Sequence, residues 1–233
     1  MPDYFNTSMT SYFGGKGSAG TYQRIINQIP EHVYFVSACL GNCAIMRKKS
    51  LAGISYGYDL DQDIINNWIS NNKKSIFVGT LVIENRSALH LLSRHDLDDT
   101  FIYYDPPYPH DTRDSNHRYK FEWTNQDHTN FLTGVSCAKK AQIAISTYPN
   151  DLYDEQLKDW RKIKFQSMTR GGPRTEVLYM NYPAPKTLHD YRYIGEDYRE
   201  REAIKKRIDS LNRKIGRLTD HELGLLKQYN PRL

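Results

Sequence analysis

The tetrapeptide Asp105-Pro106-Pro107-Tyr108, set directly after the apolar run Phe101-Ile102-Tyr103-Tyr104, combines residue types suited to an exocyclic amine on a flat base. The lone pair of such an amine, adenine N6 for instance, is delocalised into its ring. A catalyst must therefore accept the amine hydrogens while the nitrogen takes on sp3 character. Asp105 supplies one acceptor. The prolines stiffen the turn and keep the Pro106 carbonyl out of helix pairing, which leaves a second acceptor beside the first. Tyr108 offers a ring on which a base can stack. Asp105, Pro106 and Tyr108 are thus the catalytic candidates. In isolation the tetrapeptide also fits a merely rigid turn. Its place at the carboxyl end of a predicted strand, where open α/β sheets bind ligands, favours the chemical reading.

Other residues have spacings that suit a nucleotide-like ligand. Gly14, Gly15 and Gly17 surround Lys16, making a backbone turn that can approach an anion closely; a plain N-terminal turn with a solvated lysine is the alternative. Asp59 closes the second predicted strand, eighteen positions after Gly41, the spacing of an acidic residue that accepts ribose hydroxyls. Asp61 and Asp63 compete with it, but Asp61 suits the cap of the next helix and Asp63 its first turn. Cys39 and Cys43 have no companion Cys or His pair, so buried thiols are expected and no metal site.

The elements that must hold these residues read as an alternation. Strands are predicted at 33–36, 54–58, 78–83, 101–104, 142–145, 163–166 and 177–180. Helices are predicted at 20–28, 61–72, 87–94, 125–139 and 151–159. This implies an α/β fold: a doubly wound, mainly parallel Rossmann-like sheet with an antiparallel C-terminal strand. After Pro183-Ala184-Pro185 glycine becomes rare and charge dense, so residues 1–183 are read as one domain and 184–233 as a helical tail. In the tail Ile204, Ile208, Leu211, Ile215 and Leu218 form a narrow seam, and Thr219-Asp220-His221-Glu222 matches a capping box that opens a second helix. A helical hairpin follows, with its seam either packed inward or joined to a second copy or another subunit. The basic excess around 199–217 suits either phosphate contact or a solvated helix face.

With 233 residues the chain can bury a sizeable core. Thirty-two Lys and Arg against 27 Asp and Glu give a net charge of +5, the sign expected of a nucleic-acid binder but modest in size. Three cysteines and no apolar N-terminal signal region point to free thiols in a reducing, cytoplasmic compartment. No run reaches the roughly 20 apolar residues needed to cross a bilayer.

Tyr12-Phe13-Gly14-Gly15-Lys16, Ala38-Cys39-Leu40-Gly41-Asn42-Cys43, Tyr58-Asp59 and the Asp-Pro-Pro-Tyr box, in that order, resemble the D12 class of adenine-N6 DNA methyltransferases, the Dam-like group. The similarity runs from about Tyr12 to Tyr182. Other amino-methyltransferase groups permute these boxes. The segment from Gly171 to Leu178 and the tail from Leu188 resemble compact phage and prophage members, which implies a bacterial or phage-infected host. The resemblance implies S-adenosylmethionine as cofactor, contacted by Tyr12, Lys16, Leu40, Gly41, Asp59, Asn85 and Asp105. Lys16 would lie near the cofactor carboxylate or the active-site entrance, and Asn85 would accept from the cofactor adenine amine or else cap the following helix. The sequence departs from the family at Cys39-Leu40-Gly41-Asn42-Cys43, where an aromatic-x-Gly-x-Gly turn is usual, and at Ser37, where an acidic residue is usual.

A DNA methyltransferase must extrude its base from the duplex. Residues 109–123 mix cations and planar groups, Trp123 among them, that could contact phosphate and fill the vacated space. Arg113, His117, Arg118, Lys120, Arg170 and Arg174 are the nucleic-acid-binding candidates, and Ser146-Thr147-Tyr148 resembles a family position near the target base. The interval from Asp59 to Asp105 leaves no room for the recognition insert frequent in the family. Three readings stay open: a DNA adenine methyltransferase, an RNA adenine methyltransferase, and a degenerate methyltransferase that serves as a nucleic-acid-binding or interaction module.

Overall fold

A computed structural model describes residues 3–8, 15–18, 20–109, 112, 120–169 and 172–230. Seven strands form one sheet: β1 (Tyr34–Ser37), β2 (Ile54–Asp59), β3 (Leu81–Asn85), β4 (Thr100–Tyr104), β5 (Gln142–Thr147), β6 (Arg161–Thr169) and β7 (Gly172–Met180). Their spatial order is β3-β2-β1-β4-β5-β7-β6. The first five are parallel, and β7 is antiparallel to both neighbours. The expected fold class is therefore present, a mainly parallel Rossmann-like sheet with an antiparallel C-terminal strand. Chain order reverses between β1 and β4, and the crevice above such a point is where open α/β sheets bind ligands.

Short helices precede and link the strands: α1 (Thr21–Ile26) ahead of β1, then α2 (Ala44–Lys48), α3 (Gln62–Asn71), α4 (Lys73–Phe77), α5 (Leu92–His95), α6 (Asn125–Ser136) and α7 (Asp151–Gln156) between strands. Two of them, α2 and α4, were not expected. The residues of α4 are half-buried or exposed, so it carries no apolar period to read. It also displaces β3, which starts at Leu81 and not at Val78. Gly79 at φ 75° turns the chain first, and Phe77 and Val78 face outward. The central strands are apolar on both faces: Val36, Ile102 and Ile143 on one and Phe35 and Phe101 on the other are fully buried, each contributing about 1.5–3 kcal/mol.

The turn entering β5 is tied down by one carboxylate. Asp96 accepts the backbone N–H groups of Lys139 (3.0 Å), Lys140 (2.8 Å) and Ala141 (2.9 Å). Burial works against its charge, but these three donors outweigh it and lower its pKa. Replacing Asp96 with Ala should cost about 1–3 kcal/mol at neutral pH. The folded pKa lies below the unfolded one, so the contribution is present above about pH 4 and fades as pH falls through the folded value. Denaturant melts should show the gap between wild type and Asp96→Ala closing as the pH is lowered.

The chain divides into two compact units, between Tyr191 and Arg192. Leu188–Asp190 are held by the first: Leu188 bridges to Pro30, His189 N–H donates to Ile29 O (3.0 Å), and Asp190 accepts from Ser50 N (2.8 Å). The second unit carries α8 (Tyr198–Ile215) and α9 (Asp220–Tyr229). Asp197 caps α8, and Thr219 and Glu222 form the expected capping box of α9. Ile208, Leu211, Ile215 and Leu218 of the seam are all exposed. Among the described residues no helix is long and apolar enough to cross a membrane.

Candidate active site

Asp105 sits one residue past β4, at the carboxyl end of the sheet and beside the β1 turn. A pocket opens there, about 850 Å³ when the open solvent at its mouth is included. Its walls include Leu40, Gly41, Asp59, Lys16, Asp105 and Pro107.

Gly41 makes the β1 turn possible. Its φ of 43° lies in the left-handed region, and both of its backbone groups are held. Its N–H donates to Asp59 Oδ2 (2.9 Å), and its carbonyl accepts from Trp68 Nε1 (2.8 Å) on α3. Asp59 Oδ1 accepts from Asp61 N (2.8 Å). A carboxylate oxygen takes two hydrogen bonds, so each keeps acceptor capacity toward the pocket. Burial raises the Asp59 pKa against these N–H donors. Asp61 caps α3 as expected, accepting from Asp63 N (3.0 Å).

Leu40 rests on Gly57 of β2. A methyl group added at Gly57 would lie 2.7 Å from Ile83 Cδ1 and 2.9 Å from Leu40 Cδ2. Gly57→Ala should therefore push Leu40 into the pocket and cost about 1–3 kcal/mol of stability. Thermal melts and the position of Leu40 in a crystal structure of the variant check this.

The pocket also borders a charged cluster. The Lys16 ammonium donates to Asp105 Oδ1 (2.7 Å) and Oδ2 (2.9 Å) and to the Tyr108 hydroxyl. Glu176 Oε2 of β7 is 3.7 Å from Lys16 Nζ, and Glu176 Oε1 accepts from Ser167 Oγ (2.7 Å). Ser146 Oγ donates to Asp105 Oδ1 (3.1 Å), so in its 2.8 Å contact with the Tyr103 hydroxyl it is Tyr103 that donates. Side-chain exposure is 3% for Lys16, 5% for Glu176 and 19% for Asp105. Burial alone would neutralise Lys16, but Asp105 and Glu176, followed by Tyr103, hold its pKa well above the usual lysine value. Burial, partly countered by Lys16 and reinforced by Asp105, raises Glu176. Burial, with Asp59 and Asp105 behind it, also pushes the Cys39 thiol up, and burial does the same for Cys43. Protonated thiols are poor nucleophiles.

Several expected placements differ. Lys16 lies on Asp105 itself, not at an entrance. The Tyr108 ring is not open to a base: it is 3% exposed, with Tyr148 4.3 Å from its centroid and Lys16 Nζ 5.0 Å away. Pro106 is buried, and it is Pro107 that faces the pocket. Asn85 is not among the pocket's lining residues. Its amide donates to the carbonyls of Asp59 (3.1 Å) and Leu60 (2.9 Å), while Ser87 caps the following turn. Trp123 reaches the pocket wall but is packed into the core on Phe131 at 5.1 Å, 6% exposed, and not free to fill a vacated base position. Lys120 is at the pocket rim, paired with Asp61 (2.8 Å) and Asp63 (3.0 Å). Arg174 is exposed on β7. Tyr12, Arg113, His117, Arg118 and Arg170 lie outside the described residues. Among the described residues no cluster of His, Cys, Asp and Glu could hold a metal.

Glu176 and Trp68 were missed as site residues. Trp68 reads as one more apolar position on a helix, and Glu176 meets Asp105 only because β7 runs back antiparallel beside β5.

No protein-family model matches the chain, and no curated protein matches its sequence. Solved structures similar in fold include M. capricolum TrmK in complex with S-adenosyl-homocysteine, 10% identical over 92% of this chain and 94% of that chain, with a TM-score of 0.49. An rRNA methylase from Streptococcus thermophilus is 9% identical over 68% and 92%, with a TM-score of 0.46. Magnesium protoporphyrin IX methyltransferase from Synechocystis PCC 6803 with bound SAM is 10% identical over 69% and 75%, with a TM-score of 0.45. Identities this low and TM-scores below 0.5 assign no activity to this chain.

Proposed function

We propose that the chain is an S-adenosylmethionine-dependent methyltransferase acting on the N6 amine of adenine in DNA, reached by base flipping. The observation that carries this reading is Asp105 at the end of β4, sharing one pocket with an Asp59 whose carboxylate is anchored through the β1 turn. The pocket suits the cofactor on two counts. Asp59 keeps acceptor capacity for ribose hydroxyls, next to Leu40 and Gly41. Asp105 and Glu176 together outweigh Lys16 by one negative charge, which favours a sulfonium cation nearby.

When bound, S-adenosylmethionine supplies a methyl group whose bonding pair stays on sulfur as the new carbon–nitrogen bond forms. The chain's residues do the rest. Asp105 accepts the amine hydrogens and takes the proton that nitrogen must lose. Ser146 and Tyr103 hold the carboxylate in place from behind. Orientation of the two reactants is the main contribution, and no covalent enzyme intermediate is needed. The domain at residues 1–183 would carry this chemistry, with Lys120, Arg174 and the basic residues outside the described set meeting phosphate. The exposed α8 seam would serve a second copy or a partner subunit.

Because the interval between Asp59 and Asp105 is filled by α3, α4, β3, α5 and β4, no separate recognition domain sits there. That keeps RNA as the second substrate to be tested. Calorimetry with S-adenosylmethionine tests the reading at its base. Micromolar binding is expected; millimolar or undetectable binding would favour a degenerate binding module.

A further inference from the structure

Glu176 belongs to none of the motifs that mark the catalytic turn, yet it is the second carboxylate of the charged cluster. In this conformation both oxygens of Asp105 are occupied by the Lys16 ammonium, and Oδ1 also holds Ser146. An incoming amine needs those same oxygens, so Lys16 must leave them. Its ammonium is buried, and stranding a buried charge is strongly unfavourable unless another counter-ion takes over. Glu176 is placed to do so. Ser167 fixes its Oε1, while Oε2 is buried, accepts no hydrogen bond from the described residues, and lies 3.7 Å from Lys16 Nζ. A shift of about 1 Å would bring that pair to hydrogen-bonding distance.

We infer that Glu176 receives the Lys16 ammonium when the substrate amine takes its place on Asp105. Glu176 is then a positioning residue that acts through Lys16 and does not touch the base. The identity of the amine rests on the methyl-transfer reading; the hand-over of Lys16 between two carboxylates does not.

Two measurements test it. In a crystal structure of the Asp105→Asn variant, Lys16 Nζ should lie within about 3 Å of Glu176 Oε2. Nζ remaining at its present distance or turned to solvent would overturn the inference. In kinetics with a nucleic-acid substrate at saturating cofactor, Glu176→Gln should lower kcat/KM on the order of 10- to 100-fold, a larger effect than the fall in cofactor affinity that losing one negative charge brings. The same substitution in a Lys16→Met background should have little further effect, because the residue acts only through the lysine. No loss in the single variant, or an undiminished loss in the double one, would also overturn it. Should Glu176→Gln fail to fold, the Asp105→Asn structure decides. If wild-type protein methylates no nucleic acid but Lys16 moves to Glu176 in that structure, the methyl-transfer reading fails and the hand-over stands.

Discussion

Replacing Asp105 with Ala is expected to reduce methyl incorporation by about 10³-fold or more, because the group that accepts the amine hydrogens is lost where charge develops. The fold should survive. Lys16 would lose its nearest counter-ion, but Glu176 is close enough to replace it, so the cost should stay below the roughly 3–5 kcal/mol of a fully stranded buried charge. Cofactor affinity should fall far less than the rate, since Asp59 and its hold on Gly41 are untouched. Initial rates with labelled cofactor, a thermal melt and calorimetry separate the three statements. Retained incorporation would remove Asp105 from its role.

Asp59→Ala should act on binding, not on the chemical step. It removes a carboxylate that would meet the cofactor ribose and also releases Gly41 N and Asp61 N. A hydrogen bond to a charged group contributes about 1.5–3 kcal/mol, so the dissociation constant should rise roughly 10- to 100-fold. The rate at saturating cofactor should fall far less, the pattern of lost uniform binding. Burial raises the Asp59 pKa, so wild-type affinity should begin to weaken with falling pH above the ordinary carboxylate range. Calorimetry across pH, compared with Asp59→Ala, checks both points; in the variant that acid weakening should be absent.

Much of this site could be read along the chain because its parts are local. Asp105 follows a strand of five buried residues, and the Pro-Pro step marks where that strand must stop. Asp59 could be placed from its distance to Gly41, since a β-α-β unit fixes how far apart those two turns fall. The misplaced parts depend on contacts between distant segments. Glu176 follows the polar Arg174 and Thr175 where β7 passes into its buried half, and nothing local says that β7 will set it beside Lys16. Lys16 itself could be read as a loop cation, but its partner lies 89 positions away. The late start of β3 follows from a single left-handed glycine, Gly79, after a helix with no buried side. Tyr108 and Trp123 share one lesson: an aromatic residue near a site reads the same whether it faces a ligand or completes the core.

The most direct test is transfer of a labelled methyl group from S-adenosylmethionine to duplex DNA, single-stranded DNA and RNA in parallel, followed by digestion to nucleosides. Label on the N6 of deoxyadenosine, present with wild type and absent with Asp105→Ala, is the predicted result. Label on another atom, label that persists without Asp105, or no transfer to any of the three would contradict the account.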